Sequence, residues 1–434
     1  MRDADWLDID TALGIMLRAV APLGTEAVPL DGAFARTLAQ AVVSPIDQPP
    51  WDNSAMDGFA LLASDVRDAS AATPVTLEIV EDIPAGALPR VAVQAGRASR
   101  IMTGAPMPAG ADSVVRLEHT RPVEPAAAGG RPRVAVLRSD DAGRNVRYRG
   151  EDIRAGATVL EPGRQLRAGE IGVLAMVGCT APVVYRRPRV ALLATGDELV
   201  EPHRITDVMA ATHIINSNTP ALSAGLRATD CEPLALGIAR DDMSDLRARL
   251  VGALDADALI TTAGASVGDH DLVKSALEEM GCETLFWRVR IRPGSPFSFG
   301  ILRSRSAGVI PVFGLPGNPV SALVTFEILV RPVLRKMLGR TRIHPRTEQA
   351  LAGEDIGSPA GLVRFLRVRL SAAEDGRRRA HLTGPQGSGI LTSVAAADAL
   401  LIVPIDVARI PAGTAVRVVR LGVGDDAQEL FDLT

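Results

Sequence analysis

Between residues 190 and 321 one short grammar occurs three times: an apolar run, a loop carrying glycine, and the start of a helical stripe. The segments are "VALLATGDELV" (190–200), "ALITTAGASVGDHD" (258–271) and "VFGLPGNPVS" (312–321). Val190 to Ala194 is continuously apolar, as a strand covered on both faces requires. In the third segment Asn318 is a favoured helix N-cap and Pro319 a favoured first helical residue, so a helix is predicted to begin there. Gly314 and Gly317 are expected to permit positive φ and close approach to the backbone. A strand, a glycine loop and a helix start together present unpaired N–H groups and a positive dipole end, which suits an anion. One such loop is also what closes any tight turn. Three of them at the carboxyl ends of parallel strands predict a shared crevice.

The rest of the chain is organised around this unit. From about 185 to 338 strands alternate with helices, which predicts an α/β domain with a parallel or mixed sheet. Strands are expected at 232–238, 284–291 and 309–313, and helices at 219–228, 242–254, 271–280 and 318–338. Near the N-terminus, Ile9, Ala12, Leu13, Met16, Leu17 and Val20 form one stripe, predicting a helix over Asp8 to Leu23. A second short helix is predicted over 32–43. From Pro45 to Arg149, short apolar segments broken by Gly, Pro and Asp predict a β-rich module. Residues 150–180 read as β segments followed by a helix, and the region beyond 340 as a small barrel or sandwich.

At 434 residues, about three domains are expected. A formal charge of −4 provides no global basic field, so nucleic acid is not an expected partner. No apolar run reaches the ~18–20 residues of a membrane span, and "MRDADWLDID" lacks the apolar core of a signal peptide. Cys179, Cys231 and Cys282 show no CxxC spacing, and the histidines form no HxxxH pair. A cytoplasmic protein without a tightly held transition metal is the expectation.

Two further groups of residues carry chemistry. In "FWRVRIRPGSP", Arg288, Arg290 and Arg292 recur with period two and are expected on one strand face. Such a face needs water, carboxylates or an anionic ligand, and the guanidinium fork suits oxyanions. A solvated edge strand is an equal alternative. Carboxylates stand beside small polar loops: Asp52 and Asp57, Glu151 and Asp152, Asp197 and Glu198, then Asp241, Asp269 and Asp271. Mg²⁺ takes one or two carboxylates together with substrate phosphates, so these loops point to Mg²⁺-assisted phosphate chemistry. Helix capping explains Asp241 and Asp271 equally well.

Taken together, these strings resemble the molybdopterin molybdenumtransferase (molybdenum insertase) family and the homologous C-terminal domain of gephyrin. The matching segments are "DNSAMDGFA" (52–60), "RIMTGAPMPAGADSVV" (100–115), "NVRYRGEDIRAG" (145–156) and "LLATGDELV" (192–200). They continue with "SNTPAL" (217–222), "SVGDHD" (266–271), "RPGSPFSFG" (292–300), "FGLPGNPVSALVTFE" (313–327) and "GPQGSGILTSVAAADALLIVP" (384–404). The resemblance implies a multidomain α/β homodimer. Its parts would be a linking domain (1–45 with 149–180), a β-rich module (46–148), a molybdopterin-binding α/β domain (181–338) and a C-terminal β-barrel (339–434). It implies a reaction between molybdate and adenylylated molybdopterin, dependent on Mg²⁺ and releasing AMP. Molybdopterin adenylyltransferase and molybdoenzyme chaperones are candidate partners.

Carried over position by position, the resemblance implies roles for particular residues. Asp57, Thr103, Asp152, Asp197, Glu198 and Asp241 would be catalytic, with Asp197, Glu198 and Asp241 holding Mg²⁺. Thr195, Gly196, Gly264, Ser266, Gly268, Asp271, Gly314, Pro316, Gly317, Asn318, Pro319 and Ser321 would cradle the pterin and its phosphates. Arg292, Ser295, Arg367 and Ser388 would receive molybdate. The family usually has lysines where Arg292 and Ser295 stand, and a glycine where Ala263 stands. Serine removes a cation from the oxyanion site, which keeps a second reading open: a paralogue that binds molybdopterin or the finished cofactor as carrier or scaffold.

Overall fold

The structure is a computed structural model that describes residues 6–124, 130–209, 213–262, 272–304, 308–357, 359–372 and 376–422. The chain forms two compact units: Met1–Gln40, Pro162–Ala168 and Ala181–Thr434 make the first, and Ala41–Glu161 with Gly169–Thr180 make the second.

The first unit is built on a six-stranded sheet. Its strand order is Glu232–Ala239, Arg189–Thr195, Ala258–Thr262, Gly308–Leu315, Pro296–Ser304 and Glu283–Arg288. The first four are parallel, and the last two run antiparallel to their neighbours. Alternate residues bury on opposite faces, as the pleat dictates. Val190, Leu192, Ile260 and Phe313 pack with Leu222, Leu226, Phe326 and Leu329. Ala191, Leu193, Leu259 and Val312 pack with Leu246, Leu250, Val273 and Leu277 on the other side. Each such large side chain contributes about 1.5–3 kcal/mol by leaving water. A sheet covered on both sides can offer ligands only its strand ends.

Two sequence expectations for this unit need correction. Residues 32–43 are not helical. After a 3₁₀ turn at Leu30–Gly32 and a second tight turn at 34–35, the backbone bridges to other segments at Thr37 and Leu38. Ala35, Leu38 and Ala39 donate their N–H groups to Leu166, Arg164 and Val183 carbonyls at 2.8–2.9 Å. Pairing with distant backbone outweighs a weak helical stripe, and Ala35 itself has φ of +65°. Secondly, a strand at Pro296–Ser304 lies between those expected at 284–291 and 309–313. Its Pro, Ser and Gly residues hide the alternation, yet Phe297 and Phe299 are fully buried beside Phe286 and Phe313.

The expected N-terminal helix, the helix after Asn318 and a C-terminal β-barrel are present. Asp8 caps the helix Ile9–Ala19 by accepting the Thr11 N–H at 2.7 Å, and Ala12, Leu13 and Met16 pack against Val333, Leu334 and Met337. A long helical run starts at Pro319 and continues through a π-turn at Phe326–Val330 to Met337. Beyond it, Thr347–Ala352, Val363–Ala372, Arg378–Leu382, Ala399–Val403 and Ala415–Arg420 close a five-stranded barrel. Val368, Leu401 and Val418 are among its fully buried core residues. A short strand, Ile291–Arg292, runs parallel beside Val363–Ala372 and stitches the α/β part to the barrel edge.

The second unit is a curled six-stranded sheet in the order Ser113–Arg116, Gly58–Leu61, Arg97–Ile101, Val75–Ile83, Arg133–Val136 and Thr120–Val123. Phe59 and Leu61 face one apolar cluster and Ala60 the other. At Gly58 a Cβ would collide with the Val115 carbonyl, so only glycine allows these strands to approach. No helix among the described residues is long and apolar enough to cross a membrane.

Candidate active site

Three adjacent parallel strands deliver the three loops to one end of the sheet. Ala194 stands opposite Thr262, and Thr262 opposite Leu315, so the strand ends are level. A cleft of about 510 Å³ opens there, lined by Thr195, Glu198, Asn216, Thr262 and Asn318 among others. None of its described lining residues is Lys or Arg. Gly264, Ser266, Gly268 and Asp271 lie outside the described residues; their loop leaves the sheet at Thr262.

The glycines serve differently from expectation. Gly314 and Gly317 have no positive φ. Gly314 belongs to the strand, and a Cβ there would overlap the Ser298 hydroxyl. Gly196 does sit at φ +140°, and the Glu198 carboxylate fills the space a Cβ would need. Asn318 occupies the N-cap position with ψ of 127°, but its side chain makes no capping bond. The helix start thus lacks a side-chain cap; Pro319 has no N–H, and the Val320 N–H is taken by the Ser388 carbonyl at 3.1 Å. From the facing helix Asn218–Ala228, Asn218 Nδ2 donates to the Gly317 carbonyl at 2.7 Å. Asn216, Ser217 and Asn218 line the cleft; Ser217 and Asn218 begin the segment "SNTPAL", but the sequence reading gave none of the three a site role, and the signal was an Asn/Ser pair just before a helical stripe.

The carboxylates expected to hold a cation are partly gathered. Asp197 Oδ1 accepts the Asp241 backbone N–H at 3.2 Å, and all three of Asp197, Glu198 and Asp241 are exposed. The helix Met243–Leu250 is capped by Asp242, not Asp241: Asp242 accepts Asp245 N–H at 3.0 Å and the Ser244 hydroxyl at 2.6 Å. Those bonds hold the Asp242 carboxyl below its ordinary range. Asp241 is thus spare. Among the described residues no three His, Cys, Asp or Glu side chains form a metal-holding group.

A second cleft, of about 550 Å³, is lined by Arg292, Ser295, Ser321, Arg367 and Ser388, all expected, and by Arg364 and Gln386, which were not. No carboxylate is among its described lining residues. Arg367 is fully buried: Nε donates to Ser393 Oγ and Nη2 to the Gly387 carbonyl, each at 3.0 Å, while Nη1 has no partner. Burial alone pushes its pKa down. A desolvated guanidinium with a donor left over is costly unless an anion completes it. Ser388 also reaches the helix start, its carbonyl accepting Val320 N–H at 3.1 Å. Arg288, Arg290 and Arg292 do not form one strand face. The strand ends at Arg288, whose guanidinium lies 5.4 Å from the Trp6 ring, and Arg292 has passed to the barrel edge. Asn318 lines both clefts, so the turn at 316–321 is their common wall.

In the second unit, Asp57 Oδ1 accepts both the N–H and the hydroxyl of Thr103 at 2.7 Å, and these bonds lower the Asp57 pKa. Asp152 is exposed and is located by its N–H bond to the Gln48 carbonyl at 3.0 Å. Much of "DNSAMDG" is structural. Asp52 accepts Arg149 N–H at 2.7 Å, and Asn53 and Ser54 are buried.

Comparison with known proteins agrees with this architecture throughout. Residues 7–178 match the family described as MoeA N-terminal region (domain I and II), 191–336 the probable molybdopterin binding domain, and 349–421 the MoeA C-terminal region (domain IV). A molybdopterin molybdenumtransferase of Nostoc is 37% identical over 403 residues, covering 92% of this chain and 89% of its own. Molybdopterin molybdenumtransferase 2 of Mycobacterium tuberculosis is 37% identical over 411 residues, covering 93% and 96%. The crystal structure of the molybdopterin biosynthesis moeA protein from Pyrococcus horikoshii superposes with a TM-score of 0.78 at 29% identity, covering 96% of this chain and all of the other. The chain is accordingly an enzyme of the transferase class. It belongs to the molybdopterin molybdenumtransferase family.

Proposed function

We propose that the chain acts in molybdenum cofactor biosynthesis by transferring molybdenum from molybdate to adenylylated molybdopterin, with phosphoanhydride cleavage and AMP release. The carrying observation is the junction at Asn318 of two unlike clefts, one with a helix start that lacks a side-chain cap and with the Glu198 carboxylate, the other rich in arginine. Helix N–H groups suit phosphates, and buried guanidiniums suit a tetrahedral dianion. In this reading Arg292, Ser295, Arg367 and Ser388 hold molybdate. The turn from Gly314 to Ser321, together with Thr195, Gly196, Gly264, Ser266, Gly268 and Asp271, holds the pterin and its phosphates. Asp57, whose carboxyl is held below its ordinary range by the bonds from Thr103, and Asp152 are assigned catalytic roles in the same reading.

Magnesium is part of the proposal. Asp197, Glu198 and Asp241 fit an ion that takes one or two carboxylates and completes its shell with phosphate oxygens and water. Bound there, it would offset phosphate charge. The bond changes balance without an oxidant. One water adds across the P–O–P bridge to give AMP and the molybdopterin phosphate. Two dithiolene thiols replace one oxide of molybdate, which leaves with their protons as water. A homodimer, a cytoplasmic location and the four-part division at 45, 148, 180 and 338 belong to the same proposal.

The test is AMP release from adenylylated molybdopterin, measured by chromatography with molybdate and Mg²⁺ each present or withheld. Release that needs both supports the reading. Tight binding of the adenylylated pterin without AMP formation favours the carrier alternative, which the absence of a cation at Ser295 motivates. ATP consumption in place of AMP release would point to the upstream adenylylation step.

A further inference from the structure

The arginine cleft contains a guanidinium that no sequence motif indicated. Arg364 stands directly opposite Arg292 in parallel register, and both line the cleft. Like charges so placed repel unless something negative lies between them. The half-buried Arg364 keeps its Nε buried with no hydrogen-bond partner among the described residues, and no carboxylate among them lines the cleft. Meanwhile Ser295, where the family usually carries lysine, gives its hydroxyl hydrogen to the Ile291 carbonyl at 2.5 Å and offers no charge. We propose that Arg364 is a direct ligand of the tetrahedral oxyanion and supplies the positive charge that Ser295 does not. The inference rests on the reading of this cleft as the molybdate site.

The substitution has a chemical consequence. A lysine at 295 would act as a point charge, whereas Arg292 and Arg364 face each other with planar forks that grip two oxygens each. Desolvation adds to the effect. Burial, followed by the neighbouring Arg292, lowers the Arg364 pKa, and an anion between the two relieves both costs.

The experiment is equilibrium binding of molybdate to the purified full-length chain, followed by calorimetry. Arg364→Ala should weaken binding roughly ten- to hundredfold, the loss expected for a charge-assisted hydrogen-bond pair. Arg364→Lys should retain part of the affinity. Adding Ser295→Lys to Arg364→Ala should recover binding, which a merely structural role for Arg364 would not produce. Affinity for adenylylated molybdopterin should stay within about twofold in each variant. Thermal unfolding checks that each variant folds, and Arg364→Gln replaces Arg364→Ala if the latter does not.

The proposal is overturned if Arg364→Ala binds molybdate like the parent chain while Arg292→Ala does not; the molybdate site then stands without Arg364. A double variant that stays as weak as Arg364→Ala overturns the compensation by Arg364. If the parent chain and Arg292→Ala bind molybdate equally poorly, the reading of the cleft itself fails, and this inference with it.

Discussion

The two clefts of the first unit present charge by opposite means. At the strand ends, polarity comes from backbone: a helix start whose Asn318 does not cap it, and a strand held close by Gly314. In the arginine cleft it comes from side chains borne by separate segments: Arg292 from a two-residue strand, Arg364 and Arg367 from a barrel strand, Ser388 from the connection between two further barrel strands. A backbone site is local, so a short string of residues encodes it. A side-chain site exists only once distant segments have closed on one another. The first resists substitution by geometry; the second is vulnerable atom by atom.

The sharpest way to break this contrast is Arg367→Met. The change deletes a fully buried cation with an unpartnered Nη1, and it also removes donors from Ser393 and the Gly387 carbonyl. Molybdate affinity should fall by roughly a hundredfold or more, about 3 kcal/mol. Stability should move far less, by about 1 kcal/mol or under. Losing two hydrogen bonds opposes losing a desolvated charge that no carboxylate balances. Calorimetric titration and thermal unfolding of the same sample check both halves. A variant that loses the fold and not the anion would mean the guanidinium is a strut.

Gly314→Ala attacks the other cleft through its backbone. The added methyl meets the Ser298 hydroxyl across the paired strands, so about 1–3 kcal/mol of stability should be lost. Ser298→Ala removes the obstructing oxygen and should return most of that loss, which a double-mutant cycle in urea would measure. Independent losses would show that the glycine answers to some other constraint. In the arginine cleft a rescue would have to restore charge rather than space, as Ser295→Lys should for Arg364→Ala.

What could be read in the sequence follows the same division. Strands Arg189–Thr195 and Ala258–Thr262 were legible because both of their faces are buried, leaving an unbroken apolar run. The helix from Asn318 was legible because cap and first-turn chemistry are local. Strand Pro296–Ser304 was not, since Phe297 and Phe299 alternate with Ser298 and Gly300 and give no run. Residues 32–43 misled for the opposite reason: their hydrophobic spacing is helical, but carbonyls of Arg164, Leu166 and Val183 claim their N–H groups. Arg292 and Arg367 entered the site by resemblance, whereas Arg364 needed the register that sets it opposite Arg292. The expected face of Arg288, Arg290 and Arg292 failed because period two presumes a strand that continues, and this one stops at Arg288.

The smallest expected effect separates two neighbouring carboxylates that the sequence could not tell apart. Asp242 caps the helix Met243–Leu250, whereas Asp241 gives the helix no cap and donates its backbone N–H to Asp197. Asp242→Ala should lower the unfolding midpoint and leave AMP release unchanged; Asp241→Asn should slow AMP release and leave the midpoint unchanged. The pH dependence gives a further check. The ordinary Asp242 pKa is 3.8 and the folded value lies below it, so its stabilisation is complete above that pH and is lost as pH falls through the lower value. The midpoint difference between the parent chain and Asp242→Ala should therefore be constant near neutrality and shrink in acid. A difference that grew as the pH fell would mean that the carboxyl is stabilised in its protonated form, contrary to the bonds from Ser244 and Asp245.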